Sequence, residues 1–522
     1  MVVPELRPWR AARGHMARIA DSVRPRLRSA ATVAGRLRGT RATRPQPVRT
    51  WQYTAGAATV GLALAAGVVT AAGPWDSGQR TAEREWAAAQ EGTGGADHGR
   101  TSDSSGSSGV AGGVPRPAPS AAAVLTGLGG AATSVRSAPG GPALAGLLDP
   151  LMTDPALGGR RAAVVVDLAT GRRLYGVGAD DPLTPASTTK IATAVAALSA
   201  LGADHRLATR AVLEPDTREL ILVGGGDPTL TARADAGGWA SLRTLAASTA
   251  TALKKRGVNE VTLSYDTSLY TGPELHPIGV NENLAPVTAL MVDEARTDDS
   301  SSGPAPRTTE PAADATRRFA DLLNAQGIRT KSPGPSKATA RALPLATVTS
   351  PPLADLVERM LTNSDNDIAE HLARQTALAT GVRPDFTGGG EAIQRQLARL
   401  GLPPAGAAFR DGSGLDRSDR LTAHLLTALL VTAGDPARPD LRPVLTGLPV
   451  AGFTGTLTTR YAGGAAGIVR AKTGTLTGVN TLAGTVVDHQ GHVLAFAFLA
   501  SGTTDPEAAQ RALDRAATAL AG

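Results

Sequence analysis

The chain of 522 residues contains no cysteine, so it has no disulfide framework and no thiol nucleophile. Aromatic residues make up only 3% of it, which leaves the core to aliphatic side chains. Histidine is sparse, with 8 in all. His371 falls in a helical stretch and His489 and His492 in a turn, without metal-ligand spacing. No glycine-rich loop leads into a helix as a phosphate cradle does. Nothing in the sequence therefore calls for a metal or cofactor. Lysine is also scarce: Lys190, Lys254, Lys255, Lys331, Lys337 and Lys472 are the six among 53 basic residues, and the rest are arginine. Acidic residues are nearly missing from the first fifty positions, where twelve arginines face only Glu5 and Asp21. That segment carries net +10 against +7 for the whole chain, so the remainder is about −3. The basic balance belongs to a tail, and a nucleic-acid-binding surface loses its main support.

Residues 1–50 read as an arginine-rich cytoplasmic tail and 51–75 as a transmembrane anchor or signal segment. Within the latter, Thr54 to Gly73 is twenty residues without a charge, long enough to cross a bilayer. Trp51, Tyr53 and Trp75 flank the run as interfacial anchors do, with the arginines on the cytoplasmic side. Its small residues also suit a cleaved signal peptide, with sites near Ala71. On either reading the rest of the chain is exported, and membrane attachment is expected through the retained segment. Residues 76–141 are rich in Gly, Ser, Ala and Pro with almost no large apolar side chains, and read as a flexible linker. The globular part is expected over 142–522.

Three short motifs stand out there. Ser187-Thr188-Thr189-Lys190 follows Pro185 and runs into an alanine-rich stretch, which predicts a helix starting at the serine. Positions three apart share a helix face, so the Lys190 amine can reach the Ser187 hydroxyl. Unpaired N–H groups and the positive dipole end at a helix start favour a developing oxyanion. A hydroxyl nucleophile, an amine base and an oxyanion site are the requirements of acyl transfer. Lysine can lose its proton when buried and arginine cannot, so a lysine kept in so arginine-biased a chain is informative. Ser364-Asp365-Asn366 lies between two helical patterns, with 363–366 as the turn. Lys472-Thr473-Gly474-Thr475 ends a strand-like run. Taken singly these are a capping serine, an ordinary turn and a strand end. Each occurs once, and all three occur in order.

The set resembles that of the penicillin-recognising serine enzymes. Within them the chain is similar to the D-alanyl-D-alanine carboxypeptidase/endopeptidase family, the low-molecular-mass class C penicillin-binding proteins of type 4. Residues 222–228, 266–270 and 411–415 add to the likeness, which runs from about Pro142 to the C-terminus. The resemblance implies cleavage of peptidoglycan stem peptides through an acyl-enzyme on Ser187, and inhibition by β-lactam antibiotics. Lys190 would be the base, its pKa lowered by burial and by the charge of Lys472. Ser364 would relay a proton to the leaving amine, and Asn366 would fix Lys190 and hold the substrate amide. Lys472 and Thr473 would bind the terminal carboxylate, and Gly474 would let substrate approach the strand edge. The backbone N–H groups of Ser187 and Thr475 would form the oxyanion hole. Asp411 reads mainly as part of a turn buttressing the cleft. Asp266 reads either as a contact for a basic side chain of the stem peptide or as a solvated turn carboxylate.

A hairpin near the start of the globular part and two strands near 482–499 predict one antiparallel sheet with helices packed on it. The expected class is α+β, a penicillin-binding-protein/β-lactamase-like transpeptidase domain with a helical subdomain. From Ser187 to Ser364 is 177 residues, and the resemblance implies inserted small modules over roughly 211–346. A serine β-lactamase shares all three motifs, but a class A enzyme needs an E-x-x-L-N stretch between Asn366 and Lys472, and none occurs. Glu282-Asn283-Leu284 looks similar yet lies ahead of Ser364. A non-catalytic β-lactam or cell-wall sensor is the other alternative, disfavoured by the intact reactive residues.

Overall fold

The computed structural model describes residues 141–522 apart from 403, 404, 462 and 463, with backbone alone at 332 and 333. The tail, the uncharged run 54–73 and the linker up to 140 lie outside the described residues. Among the described residues no helix is long and apolar enough to cross a membrane.

Helix α1 (Pro142–Met152) opens the fold, started by a proline in its first turn. The hairpin β1 (Arg160–Asp167) and β2 (Arg173–Val177) follows. Its turn is closed by the Asp167 carboxylate, which accepts from the Ala169 and Thr170 N–H groups at 3.0 and 2.9 Å. The C-terminal strands are β8 (Val469–Leu476), β9 (Val479–Val487) and β10 (Val493–Ser501). They join the hairpin in one antiparallel sheet of order β2-β1-β10-β9-β8. The two ends of the domain thus meet along the β1–β10 ladder, from Arg160 opposite Ser501 to Asp167 opposite Leu494.

This sheet is buried on both faces, which is why its strands are nearly continuous apolar runs. Side chains alternate across it. Val164, Val166, Ala495 and Ala497 face a helical layer containing α2 (Thr189–Leu201) and α8 (Ala423–Gly434). Val165, Phe496 and Phe498 face the other way, toward α1 and α9 (Pro506–Ala519). Alanines on the α2 side let helices approach closely, whereas phenylalanines fill the opposite side.

Helix α2 is buried without interruption from Thr189 to Leu198. A helix apolar all round belongs inside, and here it is enclosed by α6 (Asn366–Ala379), α7 (Phe386–Arg399) and α8. The sequence predicts a helix starting at Ser187; the structure starts it two residues later. Residues 186–188 form a single 3-10 turn first, because Ala186 enters with φ 49°.

Between α2 and α5 (Leu353–Asn363) the chain builds a second five-stranded sheet, of order β6-β5-β4-β3-β7. Its strands are β3 (Ala208–Leu213), β4 (Glu219–Val223), β5 (Glu260–Asp266), β6 (Arg329–Pro335) and β7 (Leu343–Thr349). β4, β5 and β6 run parallel and β3 is antiparallel to its neighbours β4 and β7. Helices α3 (Leu242–Lys254) and α4 (Pro311–Ala325) share a separate apolar core with it around Leu220, Leu222, Leu245 and Phe319.

The layer between sheet and α2 sets the stability of the whole. Replacing the fully buried Leu429 of α8 by alanine is expected to cost about 2–5 kcal/mol. The measurement is the urea unfolding midpoint, which should fall at unchanged slope.

Candidate active site

The first turn of α2 puts Lys190 in the interior, fully buried. Its amine lies 3.1 Å from Ser187 Oγ, 2.7 Å from Asn366 Oδ1 and 2.7 Å from the Ser413 carbonyl. An ammonium has three N–H donors and no acceptor, and so fills all three positions as a donor. A neutral amine would donate to Asn366 and to Ser413 and turn its lone pair to the Ser187 hydroxyl. Burial lowers the Lys190 pKa from 10.5 to about 8 against the pull of Asp411, Glu370, Asp365 and Asp367, which favour the charged form. The neighbouring Lys472 amine is itself held well below its usual value by burial and by the charge of Lys190, a repulsion the two amines share.

The turn bearing Ser187 is locked from β9: Thr481 Oγ1 donates to the Pro185 carbonyl at 2.8 Å. Ser364 is also strained, a non-glycine residue at φ 58° that ends α5. Asp365 then caps α6 by accepting from the Ile368 N–H at 3.0 Å. The Ser-Asp-Asn order is thereby explained locally: a sharp turn, a helix cap, and a first helical residue aimed at Lys190. Lys472 Nζ donates to Ser364 Oγ and to the Thr473 carbonyl, both at 2.8 Å.

All eight residues singled out in the sequence converge here. Ser187, Ser364, Asn366, Thr473 and Thr475 line one cavity of about 310 Å³. Lys472 is fully buried beneath it and meets the cavity through its hydrogen bond to Ser364 Oγ. Gly474 has a different reason. A β-carbon there would come within 2.1 Å of Thr481 Oγ1 and 2.7 Å of the Pro185 carbonyl, so the protein's own turn requires the glycine. Asn366 is partly occupied, since its Nδ2 donates to the Asn283 carbonyl at 2.9 Å. Asp266 lies away from the cavity, buried, accepting from the Ser268 and Ala338 N–H groups at 2.8 and 3.0 Å. It is not a solvated turn carboxylate.

Several contributors were not read from the sequence. Asn283, Arg296, Arg307, Thr456 and Leu415 also line the cavity, and Thr473 Oγ1 donates to Thr456 Oγ1 at 2.9 Å. Arg296 and Arg307 arrive on a loop that begins with three successive left-handed residues, Asp293, Glu294 and Ala295, at φ 52°, 54° and 57°. Each costs on the order of 1 kcal/mol outside glycine. The turn is held by buried charge. Arg296 Nε donates to Glu294 at 2.9 Å, Arg359 donates to the same carboxylate, and Arg307 pairs with Asp367 at 2.9 Å. Burial and the charges of Asp365 and Asp367 push the Glu294 carboxyl up, against the pull of Arg359. The sequence hints were the Glu282-Asn283-Leu284 near-match and the 411–415 stretch that ends at Leu415.

Fold and cavity define a serine hydrolase of the penicillin-binding-protein/β-lactamase-like class. The family model of the D-Ala-D-Ala carboxypeptidase 3 (S13) family matches residues 144–306 and 298–520, and the chain belongs to that family and is a peptidase. A carboxypeptidase of Mycobacterium tuberculosis is 37% identical over 380 residues, covering 70% of this chain and 81% of the relative. The D-alanyl-D-alanine carboxypeptidase of an Actinomadura species is 30% identical over 445 residues, covering 69% and 81%. Penicillin-binding protein 4 of Haemophilus influenzae shares the fold, with a TM-score of 0.59 at 22% identity over 71% of this chain and 97% of that one.

The turn at Gly414 offers a sharp test of this geometry. The residue has φ +82°, and a β-carbon there would meet the Ala186 carbonyl at 2.0 Å. Gly414→Ala is expected to destabilise by more than about 2 kcal/mol and to displace the Ser187 turn. A melting curve together with the acylation rate of the remaining folded protein measures both effects.

Proposed function

We propose that the chain is an exported D-Ala-D-Ala carboxypeptidase/endopeptidase that cleaves peptidoglycan stem peptides through an acyl-enzyme on Ser187. The observation that carries this reading is the Lys190 amine, buried and held on Ser187 Oγ by Asn366 and Ser413. Lys190 takes the proton of the attacking hydroxyl, and the Ser187 oxygen adds to the carbonyl of the penultimate D-alanine. The backbone N–H groups of Ser187 and Thr475 face the oxyanion. Ser364, fed by Lys472 at 2.8 Å, passes a proton to the leaving amine. Thr473 with Thr456 receives the terminal carboxylate, and an anion bound there favours the protonated form of Lys472 beneath it. Water then releases the acyl group. A β-lactam, which presents a similar acyl group and carboxylate, stops at the acyl-enzyme. The uncharged run 54–73 supports attachment to the cell membrane, with the peptidase outside and the linker spanning toward the wall; fractionation of the full-length chain tests it.

Three measurements bear on the chemistry. Ser187→Ala is expected to abolish covalent labelling by penicillin and to lower peptide hydrolysis on the order of 10³-fold or more; retained label would move the nucleophile elsewhere. In the wild-type chain the label should persist while little drug is consumed. Label that turns over as drug is destroyed makes the protein a β-lactamase. The acylation rate should rise with pH as Lys190 loses its proton at about pH 8. Lys190→Arg, which stays charged, should remain inactive across that range.

A further inference from the structure

The Ser413 carbonyl that receives Lys190 belongs to a turn whose buried support has no role in the chemistry described above. Both oxygens of the fully buried Glu370, on α6, accept from the Gly412 N–H at 3.1 and 3.2 Å. Its Oε1 also accepts from the Ser413 N–H at 2.8 Å. Asp411 accepts from Gly414 N–H at 2.6 Å, Asp416 N–H at 2.7 Å and Ser413 Oγ at 3.2 Å. Thr193, one turn beyond Lys190 on α2, donates to the Gly412 carbonyl at 2.6 Å. The peptide unit that carries the Ser413 carbonyl is held by Asp411 through the Gly414 N–H, and the unit before it is held by Glu370 through the Ser413 N–H and by Thr193 through the Gly412 carbonyl.

His276 closes the network. Its Nδ1 accepts from the Ile278 N–H at 3.2 Å, so the ring proton sits on Nε2 and is donated to Asp411 at 3.0 Å. Asp411 and Glu370 favour a second proton on the ring, but on Nδ1 it would face the Ile278 N–H. Arg374 donates from its two terminal nitrogens to the carbonyls of Thr271, Pro273 and Pro384 and makes no hydrogen bond to either carboxylate. Asp411 and Glu370 both favour the charged form of Lys190.

We propose that Glu370 is a positioning residue for Lys190, acting through the Ser413 carbonyl, and that its carboxylate sets how basic the buried amine is. The physical need is plain. Full burial alone would leave an amine too weak to accept the serine proton, and nearby negative charge restores basicity toward the working pH. The charged and titratable groups facing Lys190 are Asp365 and Asp367 at the start of α6, Glu370 further along it, Asp411 in the turn and Lys472 on β8. Asp419 joins them through Thr189, whose Oγ1 lies 3.3 Å from its carboxylate. Glu370 itself is faced by Asp411, His276 and Arg374. Among these, Glu370 alone both carries charge and holds the N–H of the residue whose carbonyl binds the amine.

This inference rests on Lys190 being the base, and the experiment separates the two. The second-order acylation rate of the full-length chain by a labelled penicillin is followed against pH for wild type, Glu370→Gln, Glu370→Asp and Lys190→Arg. Glutamine can place its carbonyl where Oε1 accepts both N–H bonds, so the turn is kept and the charge removed. Loss of a negative neighbour lets the ammonium deprotonate at lower pH. The acid half-point of Glu370→Gln should fall by about one pH unit, with a lower plateau because the base is weaker. Glu370→Asp keeps the charge but withdraws it from the Ser413 N–H, so its half-point should stay while its plateau falls about tenfold. An unmoved half-point in Glu370→Gln overturns the proposal. If that variant shows no folding transition, Glu370→Asp decides: a lower plateau at an unmoved half-point supports the proposal, and an unchanged plateau or a shifted half-point overturns it. Acylation of Lys190→Arg at wild-type rate would instead sink the reading of Lys190 as base.

Discussion

A primary amine with no exposure to solvent is the constraint around which this domain is built. Removing an ammonium from water is expensive unless hydrogen bonds and opposite charge replace the lost solvation. Here the replacement comes from three separate stretches of chain: the Ser187 turn, the start of α6 at Asn366, and the turn carrying Ser413. Each partner must arrive in register with the other two. The packing of α2 among α6, α7 and α8 secures this, because a helix buried on every side has no freedom to rotate. Burial and surrounding carboxylates then pull the amine in opposite directions and leave it near pH 8. One lysine is thereby both a structural hub and a group able to exchange protons.

Strain is concentrated where these stretches meet. Ala186 and Ser364 are left-handed without being glycines, one directly before Ser187 and the other at the hydroxyl that Lys472 holds. Left-handed backbone persists outside glycine only where neighbours over-determine it. At Ala186 the neighbours are Gly414 and Gly474, each of which would collide with the 185–186 turn if it carried a side chain. At Ser364 the Lys472 bond and the Asp365 cap fix the turn from both ends. The positions of the reactive hydroxyls follow from this backbone rather than from flexible side-chain choice.

The second sheet has its own apolar core, yet it reaches the cavity. Asn283 engages Asn366, the 293–307 loop brings Arg296 and Arg307 to the rim, and His276 completes the buried network beneath Ser413. The two parts meet through buried ion pairs, Arg307 with Asp367 and Arg359 with Glu294, and through an apolar cluster of Tyr270, Leu284 and Val287 against Phe386. Such pairs add specificity of placement more readily than stability. A left-handed run at 293–295 is tolerable because Glu294 is clamped by Arg296 and Arg359.

What the sequence determined by itself is whatever depends on near neighbours along the chain. Ser187 and Lys190 share a helical turn, Asp365 caps the helix that Asn366 begins, and Lys472-Thr473-Gly474 ends a strand. These follow from backbone geometry, and the order of the three motifs made the class of enzyme readable. The apolar runs of β1, β9 and β10 likewise announced one antiparallel sheet with helices packed on it. Tertiary structure decided what lies between residues far apart. That Lys472 sits beneath the cavity, that Gly474 is needed by the 185–186 turn, and that Asp266 is buried as a loop staple each depend on distant partners. The same holds for Glu370 and His276, which read as ordinary residues of a helix and a loop. Their carboxylate and imidazole gain a role only because folding carries them, over 180 and 86 residues of chain, to the turn against which Lys190 is held.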